Sequence, residues 1–470
     1  MGFEADAELL IGLLARYQHE SEAAAKPVIA LPPLRELVER LELERYAQQG
    51  GLTGDELREF LERYLDATTR LYHPASLAHQ VSVPHYAGAL GAFTDAFTSN
   101  PMAIYEMGPP AAAIEYYMIN WLLHKVGWTP APLPPGTGEP GSYGGGVLTH
   151  GGSLANLTAL IAARTRMAPD VWENGVPADL AILAPEQSHY SVARAAGILG
   201  IGARGVIALA VDERGVVIPD RLPHALQRVT EEGRRPMALV ANACSTAAGL
   251  YDPLAEIGAF CREHGIWFHV DGAHGASALL SPRQRLRLRG VEQADSLIWD
   301  AHKLMRAPSL CAAVLVRDHR ALDGAFHQQA SYLFHDKAQP GIDLIHRTIE
   351  CTKAALGLRL FMVLGAMGES GLAEYVDHQT GIALEAYHFL NSQPDFSAPI
   401  EPQSNIICFA YRDWDKEHLR ARDRLIGEGS FHLSTAQLNG RWYLRAVFMN
   451  PRSGLAEIEA LVAALRAMGQ

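Results

Sequence analysis

Between residues 180 and 316 short apolar runs alternate with helical segments, and this alternation limits the possible folds more than any other feature of the chain. The runs are LAIL (180–183), MALVANA (237–243), IWFHV (266–270), SLIW (296–299) and CAAVLV (311–316). Runs this short and this uniformly apolar read as strands covered on both faces. Amphipathic segments such as AEIGAFCREHG (255–265) lie between them. Strand and helix in alternation predict an α/β fold, a mostly parallel central sheet with helices on both faces.

The flanks read differently. Residues 1–70 predict helices, with Leu34, Leu37, Leu41 and Leu43 near helical spacing and Gly50-Gly51 as a break. AAAIEYYMINWLLHKVG (111–127) predicts an apolar helix closed by Gly127, and 131–146 predicts a loop. Beyond residue 350 the pattern becomes a long helix (353–368), strands near 405–411 and 442–449, and a final helix (454–468). The expected division is an N-terminal helical segment (1–85), a large α/β domain (86–350) and a small C-terminal α+β domain (351–470).

Composition narrows the partners. A net charge of −12 argues against nucleic acid and anionic membrane as partners. No apolar stretch is expected to span a bilayer, and the acidic N-terminus lacks the basic region of a signal peptide. Asp6 stands where a myristoylation motif needs Ser or Thr. Five scattered cysteines, never CxxC, suggest a reduced, cytoplasmic protein without a cysteine metal site.

Four polar constellations fall at expected strand ends, where ligands bind in open α/β sheets. In LTHGGSLANLTALIAARTR (148–166), Gly151-Gly152-Ser153 opens a helix, so backbone N–H groups and the helix dipole favour an anion. His189 follows the LAIL strand, Asp271 follows IWFHV, and Asp300-Ala301-His302-Lys303 follows SLIW. Lys303 is one of only six lysines among 40 basic residues. Singly, each has a bland reading as a loop, a structural histidine or a solvated strand end. Together they supply a phosphate cradle, a ring-facing carboxylate and a lysine, the set that pyridoxal 5'-phosphate needs.

Longer motifs point the same way. HPASLAHQVS (73–82), YEMGPPAAAIE (105–115), EQSHYSVARAAGILGIG (186–202), HVDGAHG (269–275), ADSLIWDAHKLM (294–305) and QASYLF (329–334) follow one another in order. From about His73 onward the chain resembles the group II pyridoxal-phosphate decarboxylases, in particular the glutamate and cysteine-sulfinate branch, and is also similar to the aromatic amino-acid decarboxylases. The resemblance implies fold type I, the aspartate-aminotransferase-like architecture. A homodimer with active sites at the interface is expected because the N-terminal helices (1–70) and the helix 111–127 carry more apolar surface than one domain's flank needs, with the N-terminal segment (1–85) forming the dimer. The resemblance also implies that Lys303 holds the cofactor, Asp271 pairs with the pyridine nitrogen, and Ala273 and His189 lie on the two ring faces. Gly152, Ser153 and His302 would serve the phosphate. Ser245 or Thr246 would line the site, Gln80 would belong to the substrate pocket, and Arg445 would meet the substrate carboxylate.

The chain departs from that pattern in three places. ANACSTAAG (241–249) carries Asn242 and Cys244, and HQVS carries His79 where the glutamate branch has Asn. The family's loop tyrosine, which protonates the substrate carbon after CO2 leaves, is missing from HDKAQPGIDLIHRT (335–348), so His335 or His346 is the candidate donor. Expected is decarboxylation of an acidic L-amino acid to the amine. The rivals are an aldehyde-forming enzyme on the same scaffold and a decarboxylase of diamino or aromatic amino acids.

Overall fold

The computed structural model describes residues 2–326 and 341–469. QASYLF and His335 therefore lie outside the described residues. The chain forms two compact units, one of residues 80–381 with 402–404, the other of 1–79, 382–401 and 405–470. This division differs from boundaries at 85 and 350. The N-terminal helices and the C-terminal sheet share one unit, and residues 351–381 belong with the large sheet.

The larger unit is built on β1 (Gly145–Thr149), β2 (Leu180–Pro185), β3 (Val206–Leu209), β4 (Arg235–Asn242), β5 (Trp267–Asp271), β6 (Ser296–Asp300) and β7 (Ala312–Val316). Their order is β1-β7-β6-β5-β4-β2-β3. β3, β2, β4, β5 and β6 run parallel, while β7 is antiparallel to both β6 and β1. The predicted mostly parallel sheet is present. Successive side chains on a strand face opposite sides, so each apolar run feeds two cores. Phe268, Val270, Leu297 and Trp299 join the cluster with Ile119, Leu122 and Leu123 of the helix Pro109–Val126. Trp267 and Ile298 join Leu157, Leu160 and Ile161 of the helix Gly152–Met167. Full burial of each such side chain contributes about 1.5–3 kcal/mol.

β1 begins inside the stretch expected to be loop. Its glycines hid it: a Cβ on Gly146 would stand 2.6 Å from the Val314 carbonyl oxygen and 2.9 Å from Ile119 Cγ2. Only a residue without a side chain fits where that strand is wedged between β7 and a helix.

In the smaller unit the helices Phe3–Glu22, Leu34–Arg40, Leu43–Gln49 and Gly54–Ala67 precede an antiparallel sheet. That sheet consists of β8 (Phe396–Ser397), β9 (Ile406–Tyr411), β10 (Ser434–Leu438) and β11 (Arg441–Val447), ordered β10-β11-β9-β8. β10 and β11 are joined by Asn439-Gly440, with φ of 49° and 79°. Two left-handed residues make the tight turn whose twist suits a hairpin.

The helix expected over 353–368 runs instead over Leu356–Ser392, with Gly368 non-helical at φ 67°, ψ 173°. By length and composition this helix is apolar enough to cross a bilayer, against the expectation that no stretch would be. The break at Gly368 leaves Leu356–Met367 well short of the roughly 20 residues a span needs.

Candidate active site

The carboxyl ends of β1, β2, β4, β5 and β6 surround a cavity of about 340 Å³, within the range of small-molecule sites. Gly151 turns the chain out of β1 with φ 103° and ψ 160°, which a side chain would strain. Gly152 then starts the helix so close to β6 that a Cβ would meet Asp300 Oδ2 at 2.7 Å. These two glycines bring free N–H groups at the helix start to the cavity wall.

Asp271, the last residue of β5, is buried; its Oδ2 accepts from Asn156 Nδ2 at 2.9 Å and its Oδ1 from the Ala273 N–H at 3.2 Å. Lys303 Nζ lies 3.4 Å from Asp300 Oδ2, and His302 Nε2 lies 3.7 Å from the same oxygen. Burial pushes the Asp300 carboxyl up, against the pull of Lys303 and His302. Its Oδ1 has no hydrogen-bond partner among the described residues, and neither has Asn242 Nδ2. Burial lowers the pKa of His189, whose Nδ1 lies 2.7 Å from Ser191 Oγ.

Of the residues singled out in the sequence, Gln80, Gly152, Ser153, His189, Thr246, Asp271, Ala273, His302 and Lys303 line this cavity. Ser245 does not line it. Its hydroxyl accepts from the Leu250 N–H at 3.1 Å, closing a local turn. Arg445 lies in the smaller unit on β11, buried, where Nη1 donates to the Ala78 carbonyl and to Ser434 Oγ, both at 3.2 Å. His79 packs edge-on against His432 in that unit, with ring centroids 5.3 Å apart. His346 sits in the turn Leu344–Arg347 and is not among the cavity-lining residues.

Other residues contribute too: Asp300, Asn242 and Cys244 stand in motifs already noted but were given no role there, and His150 and Asn156 were not singled out. Asn156, Asn242, Cys244, His150 and Asp300 also line the cavity, and His150 Nδ1 lies 2.5 Å from Glu350 Oε1. Asn156 left one signal, a polar residue on an apolar helix face beside Leu157, Leu160 and Ile161. Among the described residues no cluster of three or more His, Cys, Asp or Glu is placed to hold a metal ion.

The donor set fits pyridoxal phosphate. A helix start and Ser153 offer hydrogen-bond donors to a phosphate, Asp271 offers a carboxylate to a protonated ring nitrogen, and Lys303 offers an amine to an aldehyde. The unpartnered Asn242 Nδ2 and Asp300 Oδ1 are polar atoms that a polar ligand would satisfy.

Comparison with known proteins agrees with this chemistry. The acidic amino acid decarboxylase GADL1 of Xenopus tropicalis is 30% identical over 376 residues, covering 78% of this chain and 71% of that protein. The cysteine sulfinic acid decarboxylase of Mus musculus is 28% identical over 469 residues, covering 95% and 92%. The crystal structure of mouse CSAD superposes with a TM-score of 0.90 at 26% identity, over 99% of this chain and 98% of that one. Residues 44–412 match the pyridoxal-dependent decarboxylase conserved domain. The strand-end lysine, the buried carboxylate and the glycine-opened helix thus belong to a chain that is a member of the pyridoxal-phosphate-dependent amino-acid decarboxylase family.

Proposed function

We propose that this decarboxylase acts on an acidic L-amino acid, such as glutamate, aspartate or cysteine sulfinate, and releases the amine. The observation carrying this reading is the similarity to a cysteine sulfinic acid decarboxylase across 95% of the chain. When bound, pyridoxal phosphate supplies the electron sink for the pair that departing CO2 leaves behind.

The residues divide the remaining work. Lys303 would be the amine that holds the cofactor. Asp300 Oδ2, 3.4 Å from Lys303 Nζ, would take or return a proton at that nitrogen. Burial raises the Asp300 pKa and so suits it to hold that proton. Asp271 would pair with the ring nitrogen, and Ala273 and His189, which line the same cavity, would lie on the two ring faces. The N–H groups at Gly152 and Ser153, with His302, would hold the phosphate, and Thr246 and Gln80 line the remaining wall.

The active form in this reading is a homodimer. It is supported by the helix Tyr86–Thr98, which turns Ala87, Gly88 and Gly91 inward and leaves Tyr86, Leu90, Phe93 and Phe97 exposed. The cytoplasm is the proposed compartment, on the five free cysteines.

A second reading, aldehyde formation after loss of CO2, is favoured by the lack of tyrosine in 335–348. One assay separates the two: CO2 release from a panel of L-amino acids, with amine and aldehyde both quantified. Expected is the highest kcat/KM for an acidic substrate, with amine matching CO2. Preference for aromatic or diamino acids overturns the substrate class, and aldehyde matching CO2 establishes the second reading.

A further inference from the structure

A buried chain of hydrogen bonds runs behind the cavity. Trp267 Nε1 donates to Ser296 Oγ at 2.8 Å. Ser296 Oγ lies 2.8 Å from His269 Nδ1, and His269 Nε2 lies 2.8 Å from Asn156 Oδ1. Asn156 Nδ2 donates twice, to Asp271 Oδ2 at 2.9 Å and to Ser191 Oγ at 2.8 Å. Ser191 Oγ in turn lies 2.7 Å from His189 Nδ1.

Donor and acceptor chemistry leaves a single assignment. A carboxylate only accepts, so the Asn156 amide must present nitrogen to Asp271 and oxygen to His269. That oxygen also only accepts, so His269 carries its proton on Nε2. Burial pulls the His269 pKa down to about 4, so the ring is neutral and its Nδ1 accepts from the Ser296 hydroxyl. On the other branch, the backbone N–H of Ser191 points at His189 Nδ1 from 3.3 Å. A backbone N–H only donates, so His189 Nδ1 bears no proton. The Ser191 hydroxyl accepts from Asn156 and gives its own proton to that same nitrogen.

We infer that Asn156 and Ser191 are positioning residues that hold His189 as the neutral imidazole protonated on Nε2, and that the same Asn156 amide ties this tautomer to the Asp271 carboxylate. The inference rests on the reading of His189 and Asp271 as the contacts of the cofactor ring. A neutral imidazole can stack on a protonated pyridine ring, whereas an imidazolium would repel it. The charged groups facing His189 are Asp271, Lys303, Asp300 and Arg194. Protonating Nδ1 among them would break both of its hydrogen bonds and bury a further charge. Mutating Asn156 therefore disturbs two ring contacts at once, although it is on neither motif.

Nitrogen-15 NMR of histidine-labelled protein tests this without relying on turnover, both with and without pyridoxal phosphate. The signal that disappears in His189→Gln identifies the ring. Expected at neutral pH is an unprotonated Nδ1 and a protonated Nε2, in both samples. Ser191→Ala removes the 2.7 Å hydroxyl donor and leaves Nδ1 only the backbone N–H at 3.3 Å. It should weaken this pattern and admit a measurable share of the Nδ1-protonated tautomer, and Ser191→Thr, which keeps the hydroxyl, should restore it. A protonated Nδ1 in the wild type overturns the inference, as does a Ser191→Ala spectrum identical to wild type. Should the tautomer pattern hold while Lys303→Ala keeps full turnover, the reading of the cofactor site fails and the hydrogen-bond lock stands.

Discussion

Lys303 and Asp271 stand at the ends of neighbouring parallel strands, and their chemistry gives the sharpest tests at the residue scale. Lys303→Ala is expected to abolish turnover and the visible absorption of the lysine-linked cofactor, since no other lysine lines the cavity among the described residues. Steady-state assays and an absorption spectrum check this, and wild-type kcat would refute the assignment. Asp271→Asn should leave the cofactor bound while kcat falls by orders of magnitude, because an amide cannot match a carboxylate opposite a positive ring nitrogen. Such electrostatic contributions are commonly worth about 3–4 kcal/mol. Near-normal kcat would make Asp271 a structural strand end. Both residues were legible because Asp271 directly follows an apolar run and Lys303 closes the short polar stretch that follows another. Asn156 was not, because its importance comes from an Asp271 that is 115 residues away in sequence.

Glycine placement decides several elements. β1 escaped notice because it opens on Gly145 and Gly146, the latter squeezed by the Val314 carbonyl and Ile119, which leaves only Val147, Leu148 and Thr149 to mark a strand. The Asn439-Gly440 turn marks a hairpin whose first strand, β10, is too polar to stand out. A buried ion pair also joins elements: Lys353 Nζ bonds to Glu115 Oε1, which accepts from the Leu148 N–H of β1 at 2.9 Å. Both side chains are almost wholly buried. Lys353→Met should therefore strand a carboxylate and destabilise the protein by about 3–5 kcal/mol. Adding Glu115→Gln should recover much of the loss, because the amide oxygen still accepts from Leu148. Thermal midpoints of the two variants check both statements, and an unchanged Lys353→Met midpoint would show the pair to be inert.

For the whole molecule, the inverted helix Tyr86–Thr98 makes the most specific prediction. Its small face packs against the helix Leu356–Ser392, where a Cβ on Gly91 would lie 3.1 Å from the Leu358 carbonyl oxygen. Phe97 and Tyr86 remain 63% and 62% exposed on the other face. Apolar surface of this kind calls for a cover, and a second copy of the chain is the proposed one. Light scattering should report a dimer, and Leu90→Glu combined with Phe97→Glu should shift it to monomer with loss of activity. A wild-type monomer with full activity would contradict the proposal.

Periodicity and strand-end chemistry in the sequence by themselves determined the α/β class and the parallel core strands, and pointed to the cofactor and to strand-end residues that the fold gathers in one cavity. These are local signals, since a buried strand must be apolar throughout and a polar residue just past its end faces the ligand edge. The tertiary structure alone decided how β1 and β7 close the sheet, which of Ser245 and Thr246 faces the cavity, and where Arg445 is held. It alone joined Asn156, Ser191 and His269 to Asp271. Hydrogen-bond partners across a sheet depend on strand order and on the approach of one helix to several strand ends. That geometry arises only when distant segments pack together, so no local pattern records it.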